Sequence, residues 1–243
     1  MFENVVNIPQ KVNSPILEAV LEVRYDCQFP GEALYGLLFD IFNEFPNKEE
    51  HALPILQIPS QIRFNDPNFK YQPYYRASNN GFAFAIGPYS IIFSALQPYK
   101  GWTEWKRFFN PLLETIKSRG IIGSVERIGL RTFDVFDNNI FDKINAKLII
   151  SDKTIETNPT SFFTEFEQEN IHVRLNLGNQ AIINGQPTTN SLIDIDCIYF
   201  FNCEGNAFFS AYQEVLEKAH LVNKKIFFGL LKQNLLTSLN PEY

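Results

Sequence analysis

Apolar and polar side chains alternate through SPILEAVLEVRYD, residues 14–26. Leu17, Ala19, Leu21, Val23 and Tyr25 fall on one face, and Glu18, Glu22, Arg24 and Asp26 on the other. A period of two with one wet face predicts a half-buried antiparallel strand. The period then lengthens. After Pro30 and Gly31, residues Leu34, Leu37, Leu38, Ile41, Phe42 and Phe45 form the stripe of a helix that Pro46 and Asn47 stop. Strand-like runs follow near 55–64, 69–77, 81–87 and 90–96, divided by NDPN, SNNG and GPY turn chemistry. SNNG between two such runs signals a hairpin. The clearest helix of this half is GWTEWKRFFNPLLETIKSRG, which puts Trp102, Trp105, Phe108, Phe109, Leu112, Leu113 and Ile116 on one side. Gly120 suits its end, and Pro111 inside it is expected to kink or break it.

From residue 121 the plan starts again. A strand is expected over 123–136, then a link around NNIFDKI and runs near 145–151, 171–177, 181–184 and 192–201. A final helix is expected from Asn206 to Leu236, roughly 45 Å long at 1.5 Å per residue. Each half reads as opening strand, meander and closing helix. The expected fold class is therefore α+β, with two antiparallel β-meanders from an approximate internal duplication, helices packed on one side and a long C-terminal helix. The expected halves are 1–120 and 121–243, sharing one structural unit.

Composition narrows what such a fold does. The net charge of −6 and pI near 5.2 give no global attraction to nucleic acid or to an anionic membrane. No apolar run approaches the roughly 20 residues that cross a bilayer. The opening MFENVVNIPQKVNSP has no basic stretch leading into an apolar core, so no secretory signal is expected. Cys27, Cys197 and Cys203 form no CxxC pair and no metal-ligand spacing. An odd count of free thiols fits a reducing, cytoplasmic setting.

The chemical motifs are sparse. His51, His172 and His220 stand apart with no HxH, HExxH or HxxxH spacing, and GxSxG, GxGxxG and GxxxxGK[ST] are missing. Two features remain. In LIDIDCIYF, Asp194 and Asp196 share a strand face about 6.6 Å apart along the chain, close enough for both carboxylates to approach one divalent ion. The arginines Arg24, Arg63, Arg127, Arg131 and Arg174 nearly all sit on expected strands, and guanidinium groups on a sheet suit phosphate. The simpler reading is that arginines and carboxylates pair across the ladder. On the strand SVERIGLRTFD, Arg127, Gly129 and Arg131 share a face; the partners expected for the arginines are Glu18, Glu22, Asp194 or Asp196.

The ordered set of motifs resembles a known family. Pro15, Glu18, Ala19, Val20, Glu22, Val23, Arg24 and Tyr25 match its opening strand, and GWTEWKRFFNPLLETI its Trp-bearing helix. Arg127, Gly129, Leu130 and Arg131 match its central strand, with Thr132 where an aromatic is usual; LIDID and KAHLVNKKIFFGLL match the rest, with Ala219 in a leucine place. The chain is similar throughout to the sporadically distributed, uncharacterised family of about 250-residue bacterial and archaeal proteins. That resemblance implies no established activity and, from its patchy occurrence, an accessory locus such as defence or toxin–antitoxin genes.

Two functional expectations follow. The first is a non-enzymatic cytoplasmic binding protein (a sensor, adaptor or neutralising partner) with no cofactor. Its partner would be a protein, either a second copy or a neighbouring gene's product, and contact residues are expected on the final helix. Arg24, Arg127 and Arg131 are its candidate ligand- or anion-binding residues. The alternative is a Mg²⁺-dependent enzyme or binder of nucleotides or phosphate esters, with Asp194 and Asp196 on the metal and Arg127 and Arg131 on phosphate.

Overall fold

The alternation over residues 14–26 becomes strand β1 (Ile16–Cys27), with Ala19, Leu21, Val23 and Tyr25 buried and the even-numbered side chains more open. The computed structural model describes residues 2, 7–46, 51–155, 159–183 and 185–243. Asn47 and Asn184, each part of an expected element, lie outside the described residues. After β1 come α1 (Leu34–Leu37), α2 (Phe39–Glu44), α3 (Ser60–Asn65) and α4 (Pro67–Lys70), then β2 (Tyr75–Asn79), β3 (Phe82–Ile86), β4 (Ser90–Leu96) and α5 (Trp102–Ser118). The second series is β5 (Ile122–Phe136), the short pair β6 (Ile149–Ile150) and β7 (Lys153–Thr154), β8 (Thr160–Gln168) and β9 (Ile171–Asn179). It continues with the short pair β10 (Ile182–Ile183) and β11 (Gln186–Pro187), then β12 (Ser191–Glu204), α6 (Gly205–Leu230) and α7 (Gln233–Ser238).

Eight strands pair in the order β2-β3-β4-β1-β5-β12-β9-β8. The pairs β2–β3, β3–β4, β8–β9 and β9–β12 are antiparallel. The order has the same logic from either end: an outer hairpin, the last strand of the meander, then the strand that opened the series. The chain is α+β, built on a large antiparallel sheet, with a C-terminal helix of 26 residues. No helix among the described residues is long and apolar enough to cross a membrane.

Residues group into two compact units interleaved along the chain. The first takes the chain up to Glu18, Leu130–Ile198 and Glu217 onward; the second takes Ala19–Gly129 and Tyr199–Leu216. Position 120/121, the boundary expected from the sequence, falls inside the second unit. In that unit Trp105, Phe109, Leu113 and Ile116 form the buried side of α5. Phe109 packs on Phe93 of β4, which stacks on Phe84 of β3, with ring centroids 5.7 and 5.5 Å apart. The SNNG hairpin is present: Asn80 and Gly81 both take positive φ, 54° and 83°, between the paired residues Asn79 and Phe82. In the first unit, Val173, Leu175 and Leu177 of β9 and Ile193, Ile195 and Cys197 of β12 are buried, as are Ala219, Val222, Ile226 and Leu230 of α6.

Several expected elements differ. Residues 55–64 and 69–77 are mostly a 3₁₀ turn (Pro54–Gln57), α3 and α4, with strand only from Tyr75. Pro54, Pro59 and Pro67 each stand at or just before a helix start, where a missing N–H costs nothing. The first helix divides at Leu38, which has φ −118° and ψ 21°. α5 runs through Pro111 as one helix. The final helix stops at Leu230 and restarts as α7, since Leu231 and Lys232 leave the helix. The run near 145–151 shrinks to the two residues of β6, and β8 is a strand that the expected runs left out.

Candidate functional site

All five arginines of the expected set have a carboxylate partner. In the second unit, Glu22 of β1 accepts from Arg24 Nε at 3.0 Å and from Arg127 Nη2 at 2.6 Å. The Arg24 guanidinium also lies 3.9 Å from the centre of the Tyr71 ring, and the Tyr71 hydroxyl donates to Glu126 at 2.8 Å. Arg63 of α3, buried, donates to Glu32 at 2.6 Å and covers the Tyr74 ring. In the first unit, Arg174 of β9 donates to Glu165 of β8 at 2.8 Å; the two are direct cross-strand neighbours. Beside them His172 and Glu167 approach to 2.9 Å.

Arg131 forms the most specific of these pairs. Its Nε and Nη2 donate to the two carboxylate oxygens of Asp194, at 2.7 and 2.8 Å. A planar two-point grip of this kind fixes orientation as well as charge. Phe133, two residues on and therefore on the same face of β5, supports the guanidinium at 4.3 Å. The Asp194 side chain is 6% exposed and that of Arg131 43%, so the pair reaches solvent on its cationic side.

Asp196 shares the strand face of Asp194, as the spacing requires, and lies opposite Arg174 in the register. The two aspartates are therefore brought together on β12, but Asp194 commits both oxygens to a guanidinium. Arg127 and Arg131 grip different carboxylates, Glu22 and Asp194. The expectation that these arginines pair with Glu22 and Asp194 matches the structure. Arg24, Arg127 and Arg131 are each held in an intramolecular ion pair. The three thiols are all pushed up, chiefly by burial, which works against thiolate formation and nucleophilic chemistry.

No protein-family model matches the chain, and no curated protein does.

The final helix, where contact residues were expected, turns most of its apolar side chains inward. Phe208, Tyr212, Leu216, Ala219, Val222, Ile226, Phe227 and Leu230 of α6 are all buried, and Leu221 is its exposed large apolar residue. Exposed phenylalanines include Phe39 of α2, Phe64 of α3 and Phe200 of β12, and β8 carries two in succession. Phe162 and Phe163 are adjacent in sequence, so they project to opposite faces of the strand, 38% and 58% exposed. β8 closes the strand order, and among the described residues no further strand pairs beyond it. Sequence reasoning missed these two residues because Phe-Phe interrupts the alternation. The signal was Phe162, Thr164 and Phe166 alternating with Glu165 and Glu167.

Proposed function

We propose that the chain is a non-enzymatic protein-binding module, and that it takes its partner along the outer edge of β8. The observation that carries this reading is the pair Phe162 and Phe163, exposed one on each face of a strand at the end of the sheet. An exposed strand edge presents backbone groups ready for another strand, and natural proteins usually guard it with charge or proline. Ser161–Thr164 carries neither. The charges further along β8, Glu165 and Glu167, face Arg174 and His172 on β9. Strand addition would supply main-chain hydrogen bonds, with the two phenyl rings contributing apolar area on either face.

The pairing of the arginines and aspartates supports the same reading. Groups already neutralised by each other hold strands in register; using them on a metal-bound phosphate would first cost those pairs. The partner is another protein, a second copy or the product of a neighbouring gene, in keeping with the accessory, defence-like locus that the resemblance implies. Mass in solution, measured for the protein alone and with its neighbours' products, tests this directly. A dimer or complex is expected, and Phe162→Glu with Phe163→Glu should abolish it while leaving the melting temperature nearly unchanged. A strict monomer that binds no neighbouring product, or full binding by the double variant, would overturn the proposal.

A further inference from the structure

A second feature, independent of β8, lies on the buried face of β5 in the first unit. Thr132, Asp134 and Phe136 follow one another on that face, with exposures of 8%, 2% and 8%. The flanking two reach α6. Asn223 of α6 donates from Nδ2 to Thr132 Oγ1 at 3.2 Å and to the Ile195 carbonyl of β12 at 3.3 Å. Phe136 stacks on Phe227, one helical turn further on, at 6.4 Å. Asp134 stands between these two anchors, so its carboxyl is enclosed where α6 rests on the strand.

Among the described residues no cation stands against that carboxyl. On β5, Thr132 is hydrogen-bonded to it, its hydroxyl also lying 3.5 Å from Asn223 Oδ1, and Arg131 projects to the other face, where Asp194 occupies it. On β12, the inward Ile193 and Ile195 are apolar, and the inward Cys197 thiol is kept neutral by burial. Asp194 contributes an unfavourable negative field from the far side. On α6, the facing polar group is the neutral Asn223; Lys224 donates to the Pro9 carbonyl at 3.3 Å, and His220 lies one turn earlier, partly exposed. The strand segment beside β5 on the β1 side meets it through Pro15, whose carbonyl accepts from the Val135 amide. There the partly exposed Glu18 belongs to the outer face of β1.

An isolated carboxylate so enclosed is costly, and protonation removes the cost. We propose that Asp134 makes the seating of the second half of α6 on β5 pH-dependent: the protonated carboxyl locks the helix down, and the ionised carboxyl loosens it. Burial, with help from Asp194, moves the Asp134 carboxyl up to about 7, against the Thr132 hydrogen bond. The direction of the effect is then fixed. Below the ordinary aspartate value of 3.8 the seated and loosened forms are both protonated. Between that value and about 7 only the loosened form releases its proton, so opening gains roughly tenfold per pH unit. Above about 7 both are ionised and the gain stops.

Amide hydrogen exchange of Glu217–Leu230, compared at each pH between wild type and the near-isosteric Asp134→Asn, tests the proposal. The ratio of opening constants should rise about tenfold per unit from about pH 4 and level off near pH 7, with the variant supplying the flat reference. The carboxyl carbon resonance of Asp134 in the wild-type protein should titrate with a midpoint near neutrality. Parallel exchange profiles, or a midpoint in the ordinary carboxylate range, would overturn it. The resonance needs no variant, so it decides the matter even if Asp134→Asn folds poorly.

Discussion

Arg131 and Asp194 show how unequal the two members of one ion pair are. Asp194 is almost wholly enclosed, whereas Arg131 keeps much of its side chain in water. Arg131→Ala therefore leaves a buried charge without its partner, at a cost of about 3 kcal/mol, the lower end for a broken buried pair. Asp194→Ala leaves a guanidinium that water can reach, at a cost of about 1 kcal/mol. Chemical denaturation of the two variants should show this asymmetry, and the exchanged pair Arg131→Asp with Asp194→Arg should recover part of the larger loss. Equal losses would mean that both side chains share the same solvent exposure. The pairing itself was legible in the sequence, because period-two alternation puts Arg127 and Arg131 on one face of a strand and Asp194 on one face of another. Which carboxylate each arginine takes was not legible, since that depends on the order of strands in the sheet. Asp134 was visible in the same way as a polar residue at the apolar phase of β5, in step with Ile128 and Leu130.

Elements were legible where periodicity ran long and unbroken. β1, β5, β12 and α5 appear close to their expected limits, and β3 and β4 follow from turn chemistry on either side. Between residues 54 and 70 proline decided the outcome. Apolar residues there suggested strands, but Pro54, Pro59 and Pro67 initiate short helical turns instead. Pro111 had the opposite fate, because the buried Trp105, Phe109, Leu113 and Ile116 hold the helix together across it. The junction of β12 and α6 depends on a missing side chain. A Cβ on Gly205, the first residue of α6, would stand 2.7 Å from the Ile122 carbonyl oxygen and 3.3 Å from that of Gly123. Neither oxygen can turn aside, as both belong to the backbone at the start of β5. Gly205→Ala is expected to cost about 1–3 kcal/mol, read as a lowered melting temperature; an unchanged value would show that the helix start shifts freely.

At the scale of the whole molecule, the chain enters and leaves each compact unit more than once. It crosses between them inside β1, β5, β12 and α6, after Glu18, Gly129, Ile198 and Leu216. Every crossing therefore falls within a regular element rather than in a loop. This has a consequence for how the protein tolerates being cut. A domain joined by one linker survives alone when the linker is severed; here no single severance releases a complete unit, since each is assembled from separate stretches of chain. The fragments 1–120 and 121–243, which the repeated plan of the sequence makes the natural halves, should each fail to give a cooperative thermal transition in isolation. Mixed from denaturant, they should regain one, because the break at Gly120 removes only a turn between α5 and β5. A fragment that melts cooperatively by itself would show that each half of the plan, rather than a unit drawn from separate stretches of chain, is the unit of folding. In evolutionary terms, such a chain can be inherited, lost or transferred whole, but its pieces are poor currency for shuffling.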